Sequence, residues 1–301
     1  MAHANRLSTA PNTGNTLERL SNILLPSWRR TSRVVGPVEF RPARTLDEFK
    51  AAARLVYQEY RRRGYVPENE AALRLSIFQA LPETTTFIAL HRTLGVIGTL
   101  TLIQDSPLGL PMDEVYRPEL DELRGQGHRL AEVSMLSFDS LAEHRTAFPT
   151  LQVRKMALIL GLFKAMFDYV RTRTRTTELV ACFHPRHEIL YEFLCLEPLG
   201  GLRPYPMVSG HAAVARHLNI LEGQRRAATV PVLQLFYGRQ APPKRFLRKL
   251  SFSFEELREL FIESSAIFST ASHVALTYIQ CCYPAYQLSM LARLPHGHVS
   301  V

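Results

Sequence analysis

A carboxylate set in an otherwise apolar run is the most pointed chemical feature of this 301-residue chain. In "RLAEVSMLSFD" the neighbours of Glu132 are Leu, Ala, Val, Met and Leu, a composition that suits a strand. Alternation along it puts Leu130, Glu132, Ser134, Leu136 and Phe138 on one face and Val133 and Met135 on the other. Partial burial beside Leu130 and Leu136 would raise the pKa of Glu132 toward neutrality, where a carboxylate serves as a general base. An ion pair with an arginine is the competing, structural reading. A second cluster, "YQEYRRRGYV", gathers Tyr57, Tyr60, Arg61, Arg62, Arg63 and Tyr65, and a guanidinium there can fork onto a carboxylate. Tyr191 in "LYEF" carries a phenol that is equally well read as core. His91, His128, His144, His184 and His187 lack a His-Glu-x-x-His arrangement, so no metal is expected. There is no Gly-x-Ser-x-Gly elbow for serine hydrolysis. Cys182, Cys195, Cys281 and Cys282 lack metal spacing, and neighbours at 281 and 282 bridge poorly, so reduced thiols and a cytoplasmic setting are expected.

The elements that must position these groups follow from periodicity. Residues 1–37 mix Ser, Thr, Asn and Pro and read as a flexible arm without a signal peptide. A short strand, "VEFRPA", leads into an amphipathic helix with Phe49, Ala53, Val56 and Tyr60 at three- and four-residue spacing. A second helix is expected around Glu68 to Ala80 after Pro67. "TTTFIALH" and "GVIGTLTLIQDS", separated by "RTLG", read as a hairpin. After a charged excursion over 107–128 comes the strand of Glu132, then a long, mostly buried helix from Leu151 to about Arg171. The strand "ELVACFHP", a helix through "RHEILYEFLCLE" and a β-rich stretch from Pro198 to Ile220 complete the order β α α β β β α β α β β. Residues 226–301 read as a linker, broken by Pro242 and Pro243, and a C-terminal helical extension whose first helix has a capping box in Ser253 and Glu256. The second, about Ser264 to Cys282, suits packing back on the core or contact with a membrane surface. No run reaches the roughly 20 apolar residues of a spanning helix. The net charge of +9 favours an acidic partner. The basic residues are scattered without a nucleic-acid-binding signature, so nucleic acid is not expected.

This element order is similar to that of the GNAT-like acyltransferases. The stretch "HPRHEILYEFLCLEPLGGLRPYP" resembles their pattern of a polar residue, a helix carrying Leu-Tyr, and a Gly-Phe-Glu-Pro turn. Here His184 replaces the common Asn, and Cys195-Leu196-Glu197-Pro198 replaces the turn. A closer resemblance is to the N-acyl amino acid synthases, relatives of acyl-homoserine-lactone synthases. It is carried by the "DSPLGLPMDE" loop, the "RLAEVS" strand and "RPYPMVSGHAAVARHLNI", and covers about Val38 to Ile220. The resemblance implies an α+β fold with a GNAT-like mixed central sheet flanked by helices over 38–225. It implies that the fourth and fifth strands splay to admit a thioester arm, and that a long-chain acyl group passes from acyl carrier protein to the amine of an amino acid. In that scheme Glu132 takes the amine proton, backbone N–H groups at a bulge over Ser134 to Leu136 hold the oxyanion, and Tyr191 protonates the departing thiolate. Met135, Leu136, Arg145, Arg154, Phe183 and His184 would receive the acyl-pantetheine, and Tyr57, Tyr60, Arg61 and Tyr65 the amine.

Acetyl-CoA enzymes carry a glycine-rich loop whose N–H groups cradle the pyrophosphate. The corresponding "SLAEHRTAFPTLQVRK" has no glycine, which favours acyl-phosphopantetheine on a carrier protein over acyl-CoA, with no tightly bound cofactor. Arg145, Arg154, Lys155, Arg171, Arg173 and Arg175 offer charge to an acidic carrier, or form a solvated face. The lactone synthases' characteristic Trp is missing from the 57–65 region, since the single tryptophan is Trp28, which favours an amino acid over S-adenosylmethionine. Met156, Leu160, Phe163 and Phe167 suit either an acyl-chain wall or ordinary core. The alternatives are a lactone-type synthase, an acetyl-CoA-dependent N-acetyltransferase, and a non-enzymatic module that binds acyl carriers or membrane surfaces.

Overall fold

The computed structural model describes residues 38–139, 151–237 and 247–286, with side chains from Lys155 onward in the long helix and from Leu233 onward in the one beginning at Pro231. The helix over 46–62, α1 (Leu46–Arg62), begins where Thr45 accepts from the Glu48 N–H at 3.2 Å. Acids stand in its first turn and Arg61 and Arg62 in its last, matching the helix dipole. Its buried stripe includes Phe49, Ala52, Ala53 and Val56. Arg41 of β1 (Val38–Pro42) forks onto Glu48 at 2.8 and 2.7 Å, tying strand to helix.

The expected hairpin is β2 (Thr85–His91) and β3 (Gly95–Gln104), followed by β4 (Leu130–Phe138), β5 (Glu178–Phe183), β6 (Glu197–Tyr205) and β7 (His211–Asn219). The seven strands form one mixed sheet in the order β1-β2-β3-β4-β5-β7-β6. β4 and β5 are parallel and every other pair is antiparallel. One face packs on α3 (Leu151–Arg173), whose Leu162, Phe163, Met166 and Phe167 meet Phe87, Leu100, Leu102 and Val133. Gly161 sits where α3 crosses β1, since a methyl group there would collide with the Phe40 ring. The helices α5 (Ile220–Arg226) and α6 (Pro231–Tyr237) join the same core through Ile220, Leu233, Phe236 and Tyr237. The opposite face carries α1 and α2 (Asp113–Gly125). A short α4 (Glu188–Phe193) follows β5.

Three expectations about elements fail; the helix expected over about Ser264 to Cys282 is broken at the extended Ala271 into Ile267–Thr270 and His273–Cys282. No helix forms over Glu68 to Ala80; only a single 3-10 turn, Ile77–Ala80, closes an otherwise extended loop. Leu73 and Leu75 alternate rather than recur at helical spacing, and both are buried against the C-terminal extension, so tertiary burial selects extended backbone. Conversely, the charged excursion over 107–128 contains α2, despite Pro118. The proline is tolerated because the backbone leaves helical geometry at Tyr116, two residues earlier.

The extension comprises α7 (Phe254–Arg258), a π turn over Glu259–Glu263, α8 (Ile267–Thr270) and α9 (His273–Cys282). Ser253 and Glu256 form both halves of the capping box. Leu257, Leu260, Phe261, Phe268 and Ile279 build a second core against Phe49 and Ala53 of α1 and Leu73, Leu75 and Leu81 of the loop. Tyr283 donates to the Ala80 carbonyl at 2.8 Å, and the Leu250 N–H to Ala43 at 2.7 Å. Among the described residues no helix is long and apolar enough to cross a membrane.

Candidate active site

β4 and β5 pair only at Leu130–Glu178, Ala131–Leu179 and Glu132–Val180. Beyond Glu132 they part. At the same place β4 is irregular against β3: Ser134 pairs with Thr101 and Ser137 with Thr99, so Met135 and Leu136 together oppose Leu100. This is a bulge, with Met135 at φ 53 in the left-handed region. The extra residue inverts the alternation. Leu136 and Phe138 turn to the α3 face with Val133, not to the face of Glu132 as strict alternation expects.

A cavity of about 170 Å³ opens in the gap. Its walls include Ser134 to Phe138 from β4, Cys182 and Phe183 from β5, His184, and Tyr191 from α4. The first helix and the loop after it supply Glu59, Tyr60, Arg63, Tyr65 and Arg74. From the far side come Tyr205, Met207 and His211.

Glu132 itself is 1% exposed and lies behind this wall. Its carboxylate accepts from the Met112 N–H at 2.9 Å and is hydrogen-bonded by Ser134, which does line the cavity. Burial pushes its pKa up to about 8, against the pull of the Met112 and Ser134 bonds and helped by the nearby Asp113. Among the described residues no arginine pairs with it, and its protein partners are the Met112 N–H and Ser134. The "DSPLGLPMDE" loop now has a physical role. Asp113 accepts from Leu110 N–H at 2.6 Å and from Arg124, while Arg124 also holds Asp105, so the loop is fixed with the Met112 N–H aimed at Glu132. Gly109 makes the turn at φ 71 with the Asp113 carboxylate against it. Tyr116 then locks α2 to the sheet by donating to Gly201 and Ala213.

Tyr191 is buried and stacked on Phe183, with centroids 3.6 Å apart and planes 3° from parallel. Burial raises its pKa, so the phenol is protonated near neutrality. Burial likewise raises the Cys182 thiol and the Tyr205 phenol, and the charge of Glu132 adds to both. His184 accepts from the Arg186 N–H, and its imidazole is pulled below its ordinary value by burial and Arg186.

Of the residues expected at the site, Ser134, Met135, Leu136, Tyr191, Phe183, His184, Tyr60 and Tyr65 come together around the cavity. Tyr57 does not: it is buried in the α1 stripe, with its hydroxyl accepting from Asn69 N–H. Arg61 also points elsewhere, pairing with Glu68 at the surface. A one-residue step around a helix turns a side chain by about 100°, which separates Arg61 from Tyr60. Arg145 lies outside the described residues, as does the side chain of Arg154. Lys155 is at the cavity, but Arg171 is about 24 Å further along α3 by helical rise. There it donates to the Phe236 carbonyl and lies over the Tyr237 ring, so 171–175 is no part of this mouth. Leu160, Phe163 and Phe167 are core, and the cavity takes Ile159 from that helix instead. Sequence reasoning missed Glu59, Arg74, Tyr205, Met207 and His211. Glu59 and Arg63 stood in the "YQEYRRRGYV" run and Tyr205, Met207 and His211 in "RPYPMVSGHAAVARHLNI", without a role attached, whereas Arg74 arrives through tertiary folding and leaves no local signal.

The family model described as N-acyl amino acid synthase FeeM matches residues 51–219. Among solved structures, the N-acyl amino acid synthase FeeM from uncultured soil microbes is 29% identical at a TM-score of 0.52, over 62% of this chain and 94% of that one. The AHL synthase LasI is 16% identical (TM-score 0.44, 60% of this chain and 88% of that one). The CoA-dependent acyl-homoserine lactone synthase BjaI, solved with SAM and isopentyl-CoA, is 15% identical (TM-score 0.47, 74% and 98%). No curated protein matches. With a GNAT-like sheet opened between its fourth and fifth strands and more than half of its length matched, the chain is an acyltransferase that belongs to the N-acyl amino acid synthase FeeM family.

Proposed function

We propose that this protein transfers a long-chain acyl group from acyl carrier protein to the amine of an amino acid, in the cytoplasm and without a tightly bound cofactor. The observation that carries the reading is the parting of β4 and β5 immediately after Glu132, with a bulge beside the opening. An acyl thioester entering the gap has its carbonyl oxygen over the bulge, where the extra residue leaves a backbone N–H outside the ladder to receive the oxyanion. The amine nitrogen attacks the carbonyl carbon as its proton passes to the Ser134 hydroxyl, which hands its own to Glu132. Collapse of the tetrahedral intermediate breaks the C–S bond, and the thiolate takes a proton from Tyr191. Glu132 returns its proton to solvent and Tyr191 is reprotonated. Because a carboxylate titrating near 8 is a far stronger base than an ordinary one, it suits taking the proton from the attacking amine.

The absence of glycine over 140–155 and the exposed cations Lys155 and Arg186 at the cavity support a carrier-borne, singly phosphorylated arm over CoA. FeeM is an N-acyl amino acid synthase by name, which supports the amino acid acceptor. Mass spectrometry of lipid extracts from cells making the protein tests the proposal: a new N-acylated amino acid is expected. Turnover with acetyl-CoA but none with long-chain carrier thioesters overturns it.

A further inference from the structure

Within the proposed reaction, the acceptor must be held with its amine toward Ser134 and its carboxylate on a cation. The cations lining the cavity differ in what they already hold. Arg63 contacts Glu59 at 2.9 Å, and its guanidinium also donates to the Glu59 carbonyl. Arg186 is exposed and donates to Tyr65 Oη and His187 Nε2. Lys155 is exposed. Arg74 is half-buried, pairs with no carboxylate among the described residues, and donates only to the Met207 carbonyl, at 3.1 Å. Its Nε is fully enclosed and has no hydrogen-bond partner. A guanidinium has five donors in a planar fork; with Nε enclosed and one donor given to Met207, the remaining terminal N–H groups of Arg74, which lines the cavity, are left for a carboxylate.

The backbone around Arg74 is held unusually well for a loop. Its N–H donates to Ala53 of α1 at 3.1 Å. Asn69 brackets Leu73 by bonding both its N–H and its carbonyl. Leu73 and Leu75 on either side are clamped in the second core by the C-terminal extension. Tyr60 lines the same cavity as Arg74: burial raises its pKa, Arg74 and Arg63 oppose that rise, and Glu132 adds to it, so both Arg74 and Glu132 are within electrostatic reach of one phenol.

We infer that Arg74 is the specificity-determining residue that reads the acceptor's carboxylate, selecting amino acids over simple amines. This rests on the acyl-transfer reading above. The role expected of Arg61 falls to a residue on the following loop. A charge-assisted fork in a part-buried site is expected to give a 10- to 100-fold preference, on the order of what such bonds contribute elsewhere.

The experiment uses the full chain with a long-chain acyl carrier thioester, and compares phenylalanine with 2-phenylethylamine, then other amino acids with their decarboxylated amines. Wild type is expected to prefer the amino acid by roughly 10- to 100-fold in kcat/KM. Arg74→Gln should bring that ratio close to one through the KM of the amino acid, with 2-phenylethylamine little affected. Arg74→Lys, which keeps the charge and a donor for Met207, should fall between and serves if the glutamine variant does not fold. If both variants keep the wild-type ratio, the inference is overturned while acyl transfer stands. If wild type acylates neither acceptor of any pair, the acyl-transfer reading falls and takes the inference with it.

Discussion

Replacing Glu132 with glutamine should make the protein more stable and nearly inactive, with the gain in stability growing as pH rises. The side chain is fully buried with a pKa raised from 4.5 to about 8. A group whose folded pKa exceeds its unfolded value binds more protons in the folded state between the two values, so stability falls as pH rises through that interval. The distance between the values, at about 1.4 kcal/mol per tenfold, corresponds to about 5 kcal/mol, an upper figure if water relaxes around the charge. Glutamine keeps an acceptor for the Met112 N–H and cannot ionise. At pH 5 the two proteins should therefore melt alike, whereas above pH 8 the variant should be more stable by several kcal/mol. Thermal or urea unfolding at pH 5, 7 and 9 measures this directly. Wild-type turnover should rise with pH through about 8 as the carboxylate forms, and the variant should lose about 10²- to 10⁴-fold in kcat. Parallel stability profiles for the two proteins would refute the burial argument, and a fully active variant would remove Glu132 from the chemistry.

The remaining tests address other parts of the molecule. Tyr191→Phe preserves the stack on Phe183 and removes only the proton donor, so kcat should drop 10- to 100-fold with KM and melting temperature near wild type; unchanged kcat assigns Tyr191 to packing alone. Gly161→Ala should lower the melting temperature although alanine favours helix by about 1 kcal/mol, because the collision with Phe40 costs about 1–3 kcal/mol; a higher melting temperature would mean that α3 and β1 can move apart. Lys155→Glu should raise the KM for the acyl carrier thioester and flatten its dependence on salt, and an unaltered salt response would place carrier docking elsewhere. The fifth test is the loss of acceptor discrimination in Arg74→Gln described above.

Much of this architecture is written locally. The hairpin of β2 and β3 shows in β-branched runs around a short turn, the α1 stripe in its spacing, and the start of α7 in its capping box. Glu132 stands out because a carboxylate in an apolar strand costs stability and is therefore rare without a role. The bulge was expected only from the resemblance, and its main consequence, the reversal of Leu136 and Phe138 to the α3 face, depends on a single left-handed residue at Met135 that composition does not announce. The loop before Ile77 misleads for another reason. "AALRLSIFQA" has good helix formers, but its leucines are buried by a segment about 180 residues later, and that burial outweighs propensity. Arg74 is invisible for the same cause.

That long-range clamp also sets a clock. Tyr283 and Ala80, which hydrogen-bond across the second core, are 203 positions apart. At translation speeds of about 5–20 residues per second, roughly 10–40 s separate their emergence from the ribosome. All seven strands are made before that interval ends, while the strand-like loop bearing Arg74 has only α1 to lie against until Leu257, Leu260 and Phe261 emerge. Under the Arg74 proposal, discrimination among amines therefore comes only once the last helices have docked.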